Sequence, residues 1–351
     1  MNFTYDQLPG RVVFGPGKLD QLGAEVQRLG AERALVLCTP EQVGQAEAAA
    51  AQLGQRCAGL FPGAVMHVPV EVARAARDEA RRLGADCAVA IGGGSTIGLG
   101  KAIALESGLP IIAVPTTYAG SEMTPIYGLT EAGIKKTGRD ARVLPRVVIY
   151  DPLLTLSLPG RIGGPSGINA IAHCVEALYA QDANPIISLL AEDGIRALAG
   201  SLPQVIRQPD DVAARSQALY GAWLAGASLG AVGMALHHKL CHTLGGSFNL
   251  PHAETHTILL PHAAAYNNAA APEAMARVAR ALGCEHAAQG LYDLAASIGA
   301  PLALKDIGMP ESGLDRAAEL AVQNPYYNPC PVTREGVRLL LDNAYHGRRP
   351  A

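Results

Sequence analysis

The chain has 351 residues, of which 49% are hydrophobic and 17% are charged, and its formal net charge is −3. This composition is typical of a globular protein long enough for two domains; the charge offers no attraction to nucleic acid or anionic lipid, and no apolar stretch is long enough for a membrane span. The seven cysteines are odd in number and form no CxxC pair, so together with the absence of a secretion-signal pattern they predict free thiols in a cytoplasmic protein.

The first 155 residues alternate between short apolar runs and helical patterns. The predicted strands are 11–14, 34–38, 64–68, 87–91, 111–114 and 147–150. The predicted helices among them are 18–29, 41–53, 70–83 and 96–105. Strands that alternate with helices predict an α/β domain with a mostly parallel, Rossmann-like sheet over residues 1–155.

From residue 156 to 351, Ala-rich helical patterns follow one another and no strand pattern is evident. Prolines are expected to interrupt these helices, and they are Pro185, Pro203, Pro209, Pro251, Pro272, Pro301 and Pro310. This half therefore predicts an all-helical domain.

A glycine-rich loop separates the fourth predicted strand from its helix and consists of Gly92, Gly93, Gly94 and Ser95. Such a loop lets backbone N–H groups approach a pyrophosphate at the positive end of a helix. The alternative is a tight turn without a ligand, because the pattern is not GxGxxG.

Polar residues follow the neighbouring predicted strands as well. Thr116, Thr117 and Ser121 stand just past the strand 111–114, where open α/β sheets bind ligands. Thr39 occupies the first strand-to-helix turn, where a NAD-selective site often carries an acid, and no carboxylate occurs before Glu41. These residues predict a nucleotide site that accepts both NADH and NADPH.

Histidines concentrate in the helical half. Asn169 and His173 are four residues apart and share one face of a predicted helix, as do His238 and His242. His252 follows a loop with glycine and proline, so it can fold back toward that pair. Imidazoles are common neutral metal ligands and acid–base groups, and their density here predicts a functional site. Three further histidines are individually better explained as core or surface residues, namely His237, His256 and His262.

Several stretches together resemble the iron-containing (group III) alcohol dehydrogenase family. They are FGPGKLDQL (14–22), GGGSTIGLGKA (92–102), PTTYAGSE (115–122), the pair Asn169 and His173, and the HxxxH-x9-H pattern of His238, His242 and His252. The resemblance covers nearly the whole chain. It implies the dehydroquinate synthase-like fold, a nicotinamide cofactor contacted by a lysine near Lys135, and a homodimer.

Within this family, the stretches 115–152 and 324–350 most resemble the branch that reduces the C=C bond of maleylacetate to give 3-oxoadipate in aromatic degradation, with NADH or NADPH. The resemblance implies a small dicarboxylate substrate, and neither nucleic acid nor a membrane as a partner. It also implies that His242 matches a family residue near the nicotinamide.

Three positions depart from the family. Gly98 stands where the family's glycine motif carries Asp, and Cys330 stands where the reductase branch is expected to carry Arg, a difference that bears on substrate affinity. The family's metal ligands are one Asp and three His. They correspond here to Asn169, His173, His238 and His252. Since an amide oxygen is a poor ligand for iron or zinc, we expect a vestigial site without a metal.

The working hypothesis makes His242 the leading proton donor. His173, His238 and His252 would orient or stabilise the oxo-enoate. The candidates for substrate binding are Asn169, His237, Lys239, Tyr326, Tyr327 and Arg334. The alternatives are a metal-dependent alcohol or polyol dehydrogenase, a non-redox lyase on the dehydroquinate synthase-like scaffold, and a binding protein without activity.

Overall fold

The computed structural model describes residues 3, 5, 8, 10–131 and 134–351, and the side chains of residues 134 and 135 lie outside the description. The chain divides into an α/β unit, Gln7–Leu158, and a helical unit that contains Pro159–Ala351.

The predicted boundary, after residue 155, lies shortly before the end of this α/β unit at Leu158. The turn Pro152–Thr155 lies in the α/β unit in both divisions, and Asp151 precedes it. The Asp151 carboxylate accepts hydrogen bonds from the backbone N–H groups of Gly17 and Leu19, both at 3.0 Å. This carboxylate fixes the end of the last strand to the beginning of the unit.

The α/β unit contains a six-stranded, wholly parallel sheet and a separate antiparallel hairpin. The strands are β1 (Arg11–Phe14), β2 (Ala34–Leu37), β3 (Cys57–Phe61), β4 (Cys87–Gly92), β5 (Ile111–Pro115), β6 (Ile126–Glu131), β7 (Ile134–Arg139) and β8 (Val147–Tyr150). The order in the sheet is β1-β8-β5-β4-β2-β3, and β6 pairs with β7. The predicted fold class is confirmed.

Helices cover both faces of this sheet, and they are α1 (Leu22–Arg28), α2 (Val43–Leu53), α3 (Val70–Leu83) and α4 (Gly94–Ser107). Successive residues of β2 point to opposite faces: Val36 joins an apolar cluster with α1 and α2, whereas Leu35 joins one with α3 and α4. Burial on both faces explains why these strands are continuous apolar runs.

The predicted strand 64–68 is wrong. His67 and Val68 have φ angles of 66° and 46°, so the backbone turns there and enters α3 after Pro69. The third strand is β3, which lies at the sheet edge and is only partly buried. The sequence of residues 64–68 is apolar and contains two valines, so it resembles a strand more than the sequence CAGLF of β3 does. The glycine in β3 is explained by packing, because Gly59 lies against the side chain of Leu83.

The helical unit consists of α5 (Gly160–Leu178), α6 (Pro185–Arg207), α7 (Val212–Ala231), α8 (Leu236–Phe248), α9 (His252–Asn267), α10 (Pro272–Leu282), α11 (Ala287–Ser297), α12 (Leu314–Ala321) and α13 (Arg334–His346). The predicted interruptions at Pro185 and Pro272 are confirmed, and each of these prolines is the first residue of a helix. The predicted interruption at Pro203 is wrong, because α6 continues through it and packs along α5 and α7. Tertiary packing there outweighs the one lost backbone hydrogen bond.

Within the described part of the chain, no single helix has the length and apolar character needed to cross a membrane. The helices α7 and α8 satisfy that test only as a pair, with a bend of 94° at their junction.

Candidate active site

The predicted nucleotide-binding residues lie at the carboxyl ends of three adjacent strands. In the sheet order, β5, β4 and β2 are neighbours, and they deliver Thr116, the glycine loop and Thr39, respectively. The chain reverses direction across the sheet between β2 and β4, and such a switch point is where open parallel sheets bind ligands. The topology therefore brings these predicted residues to one edge.

Gln42, for which the sequence predicts no role, connects two of these loops. Its Nε2 donates to Thr116 Oγ1 at 2.7 Å, and its Oε1 lies 3.4 Å from Thr39 Oγ1. The end of β2 is thus formed by a hydroxyl and an amide, neither of which carries a charge.

The glycine loop owes two of its glycines to close packing. Gly92 has a φ of 152°, and a Cβ there would lie 2.4 Å from Thr96 Oγ1. A Cβ on Gly93 would lie 2.9 Å from Thr117 Cγ2, so this glycine lets the hydroxyl-bearing loop approach.

The N-terminus of α4 fits a phosphate group. The helix begins at Gly94, with Gly93 as the N-cap residue and Ser95 in the first turn. No side chain accepts a capping hydrogen bond there. A Cβ on Gly94 would meet no atom within 4 Å, which leaves open space before the free N–H groups. An uncapped helix N-terminus attracts anions through these groups and through the helix dipole.

Lys101 anchors the loop that contains Ser121. Its side chain is fully buried, and Nζ lies 2.6–3.2 Å from five oxygens of Ser121, Thr124 and Ile126, three of which are carbonyl oxygens that can accept its three protons. The Ser121 hydroxyl is one of these five oxygens, so it lies against the buried ammonium group. The predicted contact of Lys135 concerns a side chain outside the described residues.

One face of α5 carries Asn169, His173 and Glu176. The spacing of four and then three residues aligns them along the helix. Asn169 and His173 are 5% and 4% exposed, and Glu176 is fully buried. Asn169 Oδ1 and His173 Nδ1 have no hydrogen-bond partner among the described residues. Burial, and then the neighbouring imidazoles, hold the pKa of His173 well below its ordinary value.

His238 lies at the centre of the histidine cluster. Its ring centroid is 5.1 Å from that of His173, 6.1 Å from that of His242 and 4.9 Å from that of His256. His256 in turn lies 4.2 Å from His252. The four histidines proposed for catalysis therefore belong to one cluster of ring contacts. His252 joins this cluster through His256, which was predicted to be only a core or surface residue.

Glu176 binds His238 directly. Its Oε2 lies 2.7 Å from His238 Nδ1, and both groups are almost completely buried. No role is predicted for Glu176 from the sequence. The signal was present, since Glu176 follows His173 by three residues and Asn169 by seven.

His237 belongs to the core of the cluster rather than to a solvent-accessible pocket. It is fully buried, and its Nε2 donates to the carbonyl oxygen of His256 at 3.0 Å. Burial lowers the pKa of His237 to about 4. A direct contact of His237 with substrate stays a prediction, and this hydrogen bond gives it a structural role.

The residues at the rim of the cluster are more exposed. His242 Nδ1 lies 3.1 Å from Tyr326 Oη, and Lys239 Nζ lies 5.8 Å from the centroid of the Tyr326 ring. This places three predicted residues together. Arg334 instead pairs with Asp315, at 3.3 Å, and with Glu319 on α12.

The family's metal does not fit the corresponding four residues well. Among the described residues, two groups bring potential ligand atoms within 4.8 Å of one another: Glu176, His237 and His238, and His237, Cys241 and His256. His173 and His252 belong to neither group. The only carboxylate nearby in these groups, Glu176, is already engaged by His238 and by two backbone N–H groups. Asn169 supplies an amide where iron prefers an anionic ligand.

Comparisons with known proteins agree with this architecture. The Fe-containing alcohol dehydrogenase family, C-terminal, matches residues 165–345, and Iron-containing alcohol dehydrogenase matches residues 9–152. A maleylacetate reductase from Burkholderia cepacia is 63% identical over 349 residues, which cover 99% of each chain. Two solved structures match over the full length of both chains. One is a putative alcohol dehydrogenase from Ralstonia eutropha JMP134, with 65% identity and a TM-score of 0.99, and the other a maleylacetate reductase from Agrobacterium tumefaciens, with 54% identity and a TM-score of 0.97. The chain belongs to the iron-containing alcohol dehydrogenase family.

Proposed function

We propose that this chain reduces the C=C bond of maleylacetate to give 3-oxoadipate, a step in the degradation of aromatic compounds. Full-length relatives that carry the name maleylacetate reductase support the substrate. The observation in the structure that carries the proposal is Asn169, a buried, uncharged amide one helical turn before His173, at the position where the family holds a metal with an acid. Family membership supports a nicotinamide cofactor.

The chemistry explains why this reaction suits such a pocket. An alcohol dehydrogenase must stabilise an alkoxide, and a divalent metal does so as a Lewis acid. Reduction of a 4-oxo-2-enoate instead adds hydride at the alkene carbon β to the ketone and leaves an enolate. That oxyanion is delocalised, so hydrogen-bond donors are sufficient to stabilise it.

When bound, the reduced nicotinamide supplies the hydride, and the protein must supply the proton. We propose that His242 donates this proton to the carbon next to the ketone, because its imidazole is exposed and contacts Tyr326 Oη. Lys239 and Tyr326 would bind a substrate carboxylate, as a cation and a hydroxyl on the same rim. His173 and His252 would orient the oxo-enoate.

Both NADH and NADPH should serve as cofactor. The end of β2 carries Thr39 and Gln42, which neither repel a 2′-phosphate nor provide a cation that would require one. Titration with each cofactor at saturating maleylacetate tests this. We expect kcat/KM values of the same order, and a preference above about a hundredfold for either, equivalent to roughly 2.7 kcal/mol, would refute it.

We further propose that turnover requires no metal, that the chain forms a homodimer and that it acts in the cytoplasm. The donor set described above supports the first point. The resemblance to the family supports the second, and the cysteine content supports the third.

The direct test of the activity is product analysis. Purified protein with NADH and maleylacetate should consume one NADH for each 3-oxoadipate formed, as measured by absorbance and mass spectrometry. Consumption of NADH with a simple aldehyde, but not with maleylacetate, would replace the proposal by an alcohol dehydrogenase.

A further inference from the structure

The buried carboxylate of Glu176, a residue of α5, caps the N-terminus of helix α8. Glu176 Oε2 accepts a hydrogen bond from Ala235 N and Oε1 accepts one from His237 N, both at 2.7 Å. No side chain within α8 caps its N-terminus. A carboxylate at this position satisfies free N–H groups and complements the helix dipole.

The third neighbour of this carboxylate is His238 Nδ1, at 2.7 Å from Oε2. Two backbone N–H groups can only donate, so they favour the ionised, acceptor-only form of Glu176. Burial raises the pKa of Glu176, whereas these N–H groups lower it. We take the ionised form because every oxygen of the carboxylate faces a donor, at distances typical of charge-assisted hydrogen bonds.

An acceptor-only partner determines which ring nitrogen of His238 carries the proton. If Glu176 is a carboxylate, Nδ1 must donate to it, and in the neutral imidazole Nε2 then has no proton. His238 is almost completely buried, and a second proton, on Nε2, would find no acceptor among the described residues, so the neutral ring is the relevant one. His238 Nε2 is buried and has no hydrogen-bond partner among the described residues.

We propose that Glu176 fixes His238 in the Nδ1–H tautomer, so that Nε2 stands among the neighbouring imidazoles as a hydrogen-bond acceptor, and that Glu176 is thereby a positioning residue of the reduction. The adjacent His237 has the opposite tautomer, because its Nε2 donates to a carbonyl oxygen. Two consecutive histidines thus carry their ring protons on different nitrogens, because each donates to a different acceptor.

This assignment changes the division of roles in the cluster, and its kinetic part rests on the proposed function. Neutral His238 cannot donate a hydrogen bond from Nε2 to an enolate or to a substrate carboxylate. It can accept one from a group that holds a proton. Donors to the oxyanion must therefore come from other residues, and His242 with Tyr326 is the pair that the rim provides.

The tautomer can be measured without any substrate. In protein labelled with ¹⁵N-histidine, long-range ¹H–¹⁵N spectra distinguish Nδ1–H from Nε2–H rings, and His238→Asn identifies the signal by its loss. We expect His238 in the Nδ1–H form and, in Glu176→Gln, a rise of the Nε2–H form, because the amide NH₂ can donate to Nδ1. A His238 ring that is already Nε2–H in the unaltered protein would overturn the proposal even if Glu176→Gln did not fold.

The kinetic test separates positioning from capping. Glu176→Gln should lower kcat for maleylacetate about 10–100-fold, with a smaller change in KM. Asp211→Ala is the matched control, because Asp211 caps α7 with its carboxylate and contacts no histidine in the described structure. The control should lose stability but keep kcat. An unchanged kcat in folded Glu176→Gln refutes the positioning role, whereas a correct tautomer in a protein that does not reduce maleylacetate refutes only the proposed function.

Discussion

At the scale of single residues, Asn169 and Glu176 divide between them what one family acid would provide. Asn169 occupies the position on α5 next to His173 without bringing a negative charge. Glu176 brings the charge two turns later, where hydrogen bonds from the N-terminus of α8 and from His238 stabilise it. The cluster therefore keeps its imidazoles, while the Glu176 carboxylate is committed to hydrogen bonds within the protein.

The role of His242 is tested by His242→Ala. If its imidazole is the proton donor, kcat should fall about 10²–10⁴-fold, because a positioned acid contributes that much to proton transfer. The measurement is steady-state NADH oxidation with maleylacetate.

Tyr326→Phe is the companion variant, since it removes the hydroxyl that His242 contacts and leaves the imidazole in place. We expect a smaller loss than for His242→Ala. A loss below tenfold in His242→Ala would assign the proton to another group.

At the scale of helices and strands, the sequence predicted best those elements whose structure depends on residues close to one another in the chain. The loops after β4 and β5 were identifiable from glycines and hydroxyls that follow apolar runs. The strand β3 was not, because its pairing with β2 depends on residues distant in sequence. The interaction of Glu176 with α8 was also hidden, since the partners are about sixty residues apart in the chain.

Lys101 links α4 to the loop that follows β5, and its removal should affect both stability and cofactor binding. Burial lowers the pKa of Lys101 to about 7, whereas the Glu122 carboxylate raises it; three carbonyl acceptors require the three protons of the ammonium form. Lys101→Met leaves these acceptors buried without a donor. We expect a loss of roughly 3–5 kcal/mol in the free energy of unfolding.

The same variant should bind NADH at least about tenfold more weakly, or roughly 1.4 kcal/mol, because the loop carrying Thr117 loses its anchor. Urea unfolding and calorimetric titration with NADH measure the two effects. Lys305→Met, at an exposed position of the helical unit, is the control. Unchanged NADH affinity in a folded Lys101→Met would show that the anchor does not position the site.

At the scale of the whole molecule, the helical unit buries several neutral histidines, and its stability should depend on pH. Burial lowers the pKa of His262 from 6.5 to about 4. Between these two values the unfolded chain binds a proton that the folded chain does not. The contribution of His262 to the free energy of unfolding is therefore fully present above pH 6.5 and is lost as the pH falls toward 4.

For His262 alone the loss at pH 5 is about 2 kcal/mol. The urea midpoint should decrease between pH 7 and pH 5, and His262→Leu should reduce that decrease. Leu260→Val, in the same buried helix, should lower the midpoint equally at both values. The same pH dependence in His262→Leu as in the unaltered protein would exclude this group as its source.

The central claim is that this member of the family reduces an enone in a histidine pocket that needs no metal. The most direct measurement is the rate of NADH oxidation with maleylacetate and with simple aldehydes, before and after exhaustive treatment with a chelator. We predict rapid reduction of maleylacetate that the chelator does not change, and no reduction of the aldehydes. Activity that disappears with the chelator and returns with Fe²⁺ or Zn²⁺ would contradict the account.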